Sequence, residues 1–584
     1  MTKRKSSKQR ERASLAAATV QAPSPRTGKD QPAGQAKSHM FSQAAIRETV
    51  ESVVIAFVLA FLFRTFEAEA FVIPTGSMAP TLMGRHKDYE CPVCGHWYQV
   101  SASEEIDQET NRSTGQYVLA GTCPMCRFTA DLGRNNPQRK NYPAYDGDRI
   151  LVGKFAYQFA EPQRWDVAVF KYPGHAVTNY IKRIVGLPGE TVVIRNGDIF
   201  INGPADPQRL EIARKPPDKL LAMLQLVFDN QYMPHLAAYG FSSRWQASVP
   251  GSAGQFEAVD PDGCRDFKTD GSAPGETWLH YEHLVPSFDN WRAVGRDGQL
   301  PRHVQLQPQL IHDFTAYNTS RGSDSQPLRS DVLGSHWVGD LAMECTVEVL
   351  SEDGEIVLEL VEGGERFRVR FDVATGEAAL AVGSLPDWRP TAQTRVRGPG
   401  TYRFRFANCD DKLYVWVNNR FVEFDEPTRY PELGNDTPTE ADFRPAAVGS
   451  RGCAMQVTGL RLLRDVYYIA ASSQNSLGTI SDFGDGYGPR PGSPDMLATP
   501  SGRRQEAFRL EEDQFFMLGD NSLRSKDGRL WSEPGPDGTK HYVHRDALIG
   551  KAILIYWPHS WHRIPGTSIP FPYFPNFARM GFVR

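Results

Sequence analysis

Apolar residues recur at every second position over much of this 584-residue chain, between turns built on Gly and Asn. That period belongs to strands and excludes a helical bundle. Thr191 to Arg195 and Asp198 to Asn202 flank Asn196-Gly197, a dipeptide that accepts positive φ twice and so closes a hairpin. Cys345, Val347 and Val349 alternate ahead of Asp353-Gly354, Ile356, Leu358 and Leu360 ahead of Gly363-Gly364, and Phe367, Val369 and Phe371 follow. Tyr402, Phe404 and Phe406 then precede Leu413-Tyr414-Val415-Trp416-Val417. The chain is too long for one core, so the fold class expected is mainly β in two or more domains, with a β-sandwich over 329–466.

Charge is segregated along the chain. The net charge is -4, yet residues 1–47 hold ten Lys/Arg against Glu11 and Asp30. Lys3, Arg4, Lys5, Lys8, Arg10 and Arg12 lead into Ala-, Ser-, Pro- and Gly-rich sequence that buries too little apolar surface to order itself, so 1–45 reads as a disordered basic tail. Ser52 to Phe63 is the strongly apolar run that follows. Twelve helical residues reach only about 18 Å, so crossing a ~30 Å hydrocarbon layer requires a span from 46 to 66, with Arg47, Glu48, Glu51 and Arg64 near the interfaces. A transmembrane anchor over 46–66 is the expectation, with the tail cytoplasmic and the rest outside. A soluble helix, or a secretory leader cut near Ala68-Glu69-Ala70, are the alternatives. No nucleic-acid partner is expected.

Cys91-Pro92-Val93-Cys94-Gly95 and Cys123-Pro124-Met125-Cys126 are two C-x-x-C turns, each able to aim two thiolates at one tetrahedral ion. Over 88–130 they suggest a zinc-ribbon-like insertion, a structural zinc held by Cys91, Cys94, Cys123 and Cys126. Two disulfides are the competing reading if the compartment is oxidising. Cys264, Cys345, Cys409 and Cys453 are scattered, with spacings that imply no pairing.

The chemistry is carried elsewhere. Phe71-Val72-Ile73 has strand character, and Pro74, Gly76 and Pro80 then hold Ser77 on an irregular turn. Such a serine alone is ordinary turn chemistry. About a hundred residues on, in Tyr180-Ile181-Lys182-Arg183-Ile184, strand alternation sends Lys182 to one face with Tyr180 and Ile184 and Arg183 to the other. A solvated Lys-Arg pair is the plain reading. A buried Lys182 is the sharper one: desolvation favours the neutral amine, and lowering its pKa from ~10.4 to near 7 costs roughly 4–5 kcal/mol. A neutral amine could deprotonate Ser77 and then protonate a leaving amine.

Gly76-Ser77-Met78-Ala79-Pro80-Thr81-Leu82, Gly147 to Val152, Tyr180 to Glu190 and Gly519-Asp520-Asn521 resemble, in order, the motif set of bacterial type I signal peptidases. The strand Ile549 to Trp557 is similar to their usual close. The resemblance covers roughly 45–203 and 506–560 and implies Ser77 as nucleophile, Lys182 as general base, and Thr75 with the Ser77 amide as oxyanion binders. It further implies that Ser525 orients the lysine and that Asp527 and Arg529 buttress the site. Ser522, Arg524 and Gly528 depart from the family pattern. The implied substrates are exported preproteins, taken as extended strands at the bilayer, and no cofactor is implied for catalysis.

The resemblance thus implies an antiparallel β catalytic core at 67–203 and 506–584, interrupted by a mixed insertion (204–328), the inserted sandwich (329–466) and a linker (467–505). Asp218 to Asp229 reads as helical. The sandwich sequence is similar to laminin-G or concanavalin-like jelly rolls, which admits a glycan or protein partner, although Trp416 reads as core. A membrane-anchored binding protein on a degenerate peptidase scaffold is the second function class. A self-cleaving Ser/Lys repressor is a third.

Overall fold

The computed structural model describes residues 43–62 and 68–584, apart from 108–109, 134–141, 203–205, 207, 248–253, 320–333, 474–479, 484–496, 498–502, 532–533, 535–537, 539, 565–566 and 568. Residues 1–42 of the expected basic tail and much of the expected linker lie outside these, while 43–45 begin the helix described next. The chain divides into two units, 1–62 and 63–584.

The first unit contains one helix, Gln43–Leu62. This helix takes up residues 46–62 of the expected span over 46–66. Among the described residues no helix is long and apolar enough to cross a membrane. Arg47, Glu48 and Glu51 occupy the first half of the helix, Arg47 pairing with Glu51 at 2.7 Å, and residues 63–66 lie outside the described ones.

The second unit is mainly β. An antiparallel sheet runs Ala68–Val72, Arg149–Gly153, Leu548–Trp557, Val167–Tyr172, His175–Gly186, Gln514–Leu518 and Tyr542–His544, with Gly581–Phe582 paired to Leu548–Trp557. Val167–Tyr172 is apolar on both faces because each face meets a core: Val167 and Val169 pack with Ile73, Ile150 and Val152, Ala168 and Phe170 with Ile184, Met517 and Trp531. The predicted hairpin forms at Asn196-Gly197, with φ of 55° and 100°. Its strands join Glu211–Ile212 and Gln505–Arg509 in a four-stranded sheet.

Between those two sheets' early and late strands the chain builds a sandwich of eight- and seven-stranded sheets. Met343, Cys345 and Val347 from one and Ile356, Leu358, Leu360, Phe367, Val369 and Phe371 from the other share a single core. Strands from the mixed stretch enter both sheets: Gln225–Asp229 pairs with Met455–Arg464, and Trp245–Ala247 with Glu276–Tyr281. The expected helix over 218–229 therefore stops early, at Pro217–Met223, because Leu226 and Phe228 are taken into that ladder. Tyr467 to Ala471, at the start of the expected linker, are buried. Trp416 is buried beside Tyr414, as expected of a core residue.

Candidate active site

Ser77 lies on a single 3-10 turn, Gly76–Met78, that follows the edge strand Ala68–Val72. Pro74 and Pro80 end regular structure on either side. Met78 and Leu82, both 0 % exposed, peg the turn into the core below it, a burial that contributes roughly 1.5–3 kcal/mol per side chain. Gly519 presses against the turn from the other side. A Cβ there would come within 2.4 Å of the Ser77 carbonyl oxygen and 2.1 Å of Ser525 Oγ.

Lys182 projects from the strand His175–Gly186 and donates to Ser77 Oγ at 2.7 Å and to the Ile181 carbonyl at 3.0 Å. Only 4 % of it is exposed. Burial pulls its pKa down to about 8, against the opposing pull of Asp527 and Asp520. The lysine side chain also lies 5.3 Å from the centre of the Tyr180 ring. As alternation requires, Arg183 points the other way, yet it is equally buried, donating to both carboxylate oxygens of Asp520 and to the Trp165 carbonyl. The solvated Lys-Arg reading therefore fails for both residues.

The loop after Gln514–Leu518 completes the surroundings. Asp527 accepts from the Gly519 amide and, through both oxygens, from Arg529. Arg529 in turn donates to the Ile469 carbonyl and to Ser522. Ser522, a departure from the family pattern, is thus a partner of the buttress. Ser525 is buried, but its hydroxyl has no hydrogen bond among the described residues, to Lys182 or otherwise. Thr75 is half-buried immediately before the turn. The Ser77 amide lies in the first turn of its element, where an N–H has no acceptor within the helix.

Three further side chains hold the turn, one of them from the insertion. Asp520 accepts from Thr81 Oγ1 at 2.5 Å, Asn521 donates to the Gly76 carbonyl at 2.9 Å, and Asn318 bonds to Asn521 from the insertion. Gly519-Asp520-Asn521 was visible as a motif. Nothing in the stretch around Asn318 connects it with a turn so distant along the chain.

The four cysteines of the paired turns converge. Each turn closes a two-stranded ribbon, His86–Glu90 with Trp97–Ser101 and Ala120–Thr122 with Thr129–Asp131, and each ends on a residue with positive φ, Gly95 or Arg127. Cys91 meets Cys126, and Cys94 meets Cys123, at 3.5 Å, and all four sulfurs lie within 4.8 Å of one another. A tetrahedron with ~2.3 Å Zn–S bonds has edges of about 3.8 Å, so the four thiols fit one zinc. No disulfide is present among them, a bridge requiring ~2.05 Å. Cys264, Cys345, Cys409 and Cys453 are likewise buried free thiols. The insertion clasps the paired turns through Arg244 to the Met125 carbonyl and Trp291 to the Cys126 carbonyl.

A hydroxyl and a buried amine so placed have the geometry that a nucleophile and a general base need for acyl transfer without histidine. Residues 139–233 and 486–557 match the family of signal peptidases, peptidase S26, a match that includes Lys182 and the Gly519–Arg529 loop but begins after Ser77. A signal peptidase I of Leptolyngbya laminosa is 28% identical over 204 residues, covering 34% of this chain and 67% of that protein. Signal peptidase I of Pseudomonas aeruginosa is 46% identical over 70 residues, 10% of this chain and 25% of that one. Signal peptidase I V of Bacillus subtilis is 41% identical over 58 residues, 10% of this chain and 33% of that one. The chain thus spans two thirds of the first of these relatives and a third or less of the others. Among solved structures, carbohydrate-binding module CBM66 from Bacillus subtilis is similar over 38% of this chain and 98% of its own, at 9% identity and a TM-score of 0.20. At that score the likeness says nothing of a ligand.

Proposed function

We propose that this protein is a signal peptidase, a serine endopeptidase that removes signal peptides from exported preproteins. The observation that carries the reading is the 2.7 Å contact between the buried Lys182 amine and Ser77 Oγ. Deprotonated Lys182 takes the Ser77 hydroxyl proton as the oxygen attacks the scissile carbonyl carbon. The Ser77 amide and the Thr75 hydroxyl receive the oxyanion. Lys182 passes its proton to the departing amine as the C–N bond breaks, leaving an ester on Ser77. Water, deprotonated by the same lysine, then hydrolyses that ester. Asp527 and Arg529 hold the Gly519 loop against the turn, and the buried Ser525 packs beside Gly519.

Substrate enters as an added strand. Ala68–Val72 ends its sheet with one pairing partner among the described strands, Arg149–Gly153, so its other edge is open to an extended peptide beside Ser77. Attachment to a lipid bilayer is assigned to the apolar half of the helix Gln43–Leu62, with the catalytic core on the outer side of the cytoplasmic membrane where exported chains emerge. Carbonate extraction and protease accessibility of intact cells test that location. The Cys91, Cys94, Cys123 and Cys126 set, read as a zinc-ribbon-like module, holds a structural zinc, four thiolates leaving no place for a reactive water. A glycan or protein partner of the sandwich would meet a groove lined by Arg214, Lys412, Phe421 and Arg429.

The reading of a binding protein on a degenerate scaffold is disfavoured because both members of the pair are present and in contact. The deciding experiment is cleavage of a preprotein by the wild type and by Ser77→Ala and Lys182→Met. Loss of cleavage below detection is expected in both variants, and wild-type rates in either would refute the pair.

A further inference from the structure

The insertion reaches the nucleophile turn directly. Ala316–Thr319 forms one 3-10 turn with all four residues buried. The Tyr317 ring packs against Gly76, where a Cβ would come within 2.0 Å of it, so residue 76 must be glycine while Tyr317 is seated. Asn318 and Asn521 exchange two hydrogen bonds: Asn318 Nδ2 donates to Asn521 Oδ1 at 2.7 Å, and Asn521 Nδ2 donates to Asn318 Oδ1 at 2.8 Å. Asn521 holds both carbonyls around the nucleophile, its side-chain nitrogen donating to Gly76 O at 2.9 Å and its amide to Ser77 O at 3.1 Å. Thr319 Oγ1 meanwhile accepts from the Thr122 amide beside the second cysteine turn.

Resting on the proteolytic reading above, we infer that Asn318 of the insertion is a positioning residue for Ser77, acting through Asn521. A primary amide has a donor end with two N–H bonds and an acceptor end in one plane; Gly76 O requires the nitrogen of Asn521 on its side, and the reciprocal bonds to Asn318 lock the amide plane in that orientation. With that end fixed toward Gly76 O, the turn carrying Ser77 is held at hydrogen-bonding distance from Lys182. With Asn318 removed, the Asn521 amide can rotate and the turn is released, and near-attack geometry is sensitive to displacements of about 1 Å. Asn318 itself touches neither Ser77 Oγ nor Lys182 in any hydrogen bond, which separates it from the catalytic pair. The inserted domain is in this sense part of the peptidase site.

The test compares wild type, Asn318→Ala, Asn318→Asp, Asn521→Ala and the Asn318→Ala/Asn521→Ala double variant, with Leu358→Ala in the sandwich core as a destabilised control, each at a temperature where melting shows it folded. Two readouts run in parallel: preprotein cleavage, and acylation of Ser77 by p-nitrophenyl acetate, which needs only an activated hydroxyl. The expected result is a fall of at least tenfold in kcat for both Asn318 variants with KM within twofold, and an equal slowing of acylation. The pH–rate profile should move to higher pH in those variants and stay in place in Leu358→Ala. The double variant should be no slower than Asn521→Ala alone. Asn318→Asp retains size and shape but turns a donor into an acceptor facing Asn521 Oδ1, so wild-type kcat and pH profile in that variant would overturn the inference. Slowing in Leu358→Ala equal to that in Asn318→Ala, or strictly multiplicative losses in the double variant, would overturn it too. If the wild type is acylated but cleaves no preprotein, the proposed substrate falls, while slower acylation in the Asn318 variants still supports the positioning role.

Discussion

Arg183 and Asp520 meet through two hydrogen bonds of 2.7 and 2.6 Å, with neither side chain exposed to solvent. The pair ties the strand that carries Lys182 to the loop that carries Asn521, and Thr81 beyond the nucleophile turn adds a third bond to the same carboxylate. Removing one member of a buried ion pair leaves the other charge uncompensated, at a cost of roughly 3–5 kcal/mol. Asp520→Ala is therefore expected to lower the free energy of unfolding by about that amount. A change under about 1 kcal/mol in urea unfolding would show that solvent replaces the carboxylate without penalty.

Cleavage should rise with pH through the neutral range. Lys182 must be deprotonated to accept the serine proton, and its pKa is lowered to about 8 by burial. About a tenth of the molecules hold the neutral amine at pH 7 and about nine-tenths at pH 9, an increase of roughly tenfold. The profile of kcat/KM against pH should show one ionisation near that value. A rate that is flat from pH 6 to 9 would mean that the lysine titrates elsewhere.

The same burial has a consequence for stability. Because the folded-state pKa of Lys182 is lowered, the folded chain gives up this proton near pH 8 and the unfolded chain only near 10.5. Unfolded molecules bind more protons in that window, so stability rises with pH across it, and the group destabilises the fold by about 3 kcal/mol below pH 8. Lys182→Met removes that burden and should be inactive yet more stable at pH 7, the gain shrinking toward pH 10. Calorimetry at both pH values checks it. A variant less stable than wild type at pH 7 would contradict the argument.

Purified protein should carry one zinc per chain, released by a strong chelator and absent from Cys94→Ser, as measured by elemental analysis. Cys91 and Cys126, and Cys94 and Cys123, stand at 3.5 Å, close enough for four thiolates to share an ion. Recovery of two disulfides by mass spectrometry under non-reducing conditions would replace zinc by bridges.

Leu358 is fully buried between the two sandwich sheets. Leu358→Ala should cost roughly 2–5 kcal/mol, the range for opening a cavity in a packed core. Circular dichroism melting gives the value. A smaller effect would mean that the sheets close over the gap.

The sequence already carried the β character, the Asn196-Gly197 hairpin and the sandwich alternation, because period-two burial and turn residues are local properties. Ser77 and Lys182 were legible for a different reason: their motifs recur in order, and alternation alone separated Lys182 from Arg183. Local reading failed where a ladder formed at long range. Leu226 and Phe228 look helical beside Leu220 and Met223 until Met455–Arg464 supplies their partners.

What the sequence determined by itself is which residues can do the chemistry: a serine on a broken turn, a lysine on an apolar strand face, four cysteines in two tight turns. Only the tertiary structure decided that the lysine is dry, that Arg183 is neutralised by Asp520, and that Asn318 of the insertion braces the turn through Asn521. Desolvation and hydrogen-bond geometry depend on what surrounds an atom, and here the surroundings come from segments hundreds of residues apart that meet only when the chain folds.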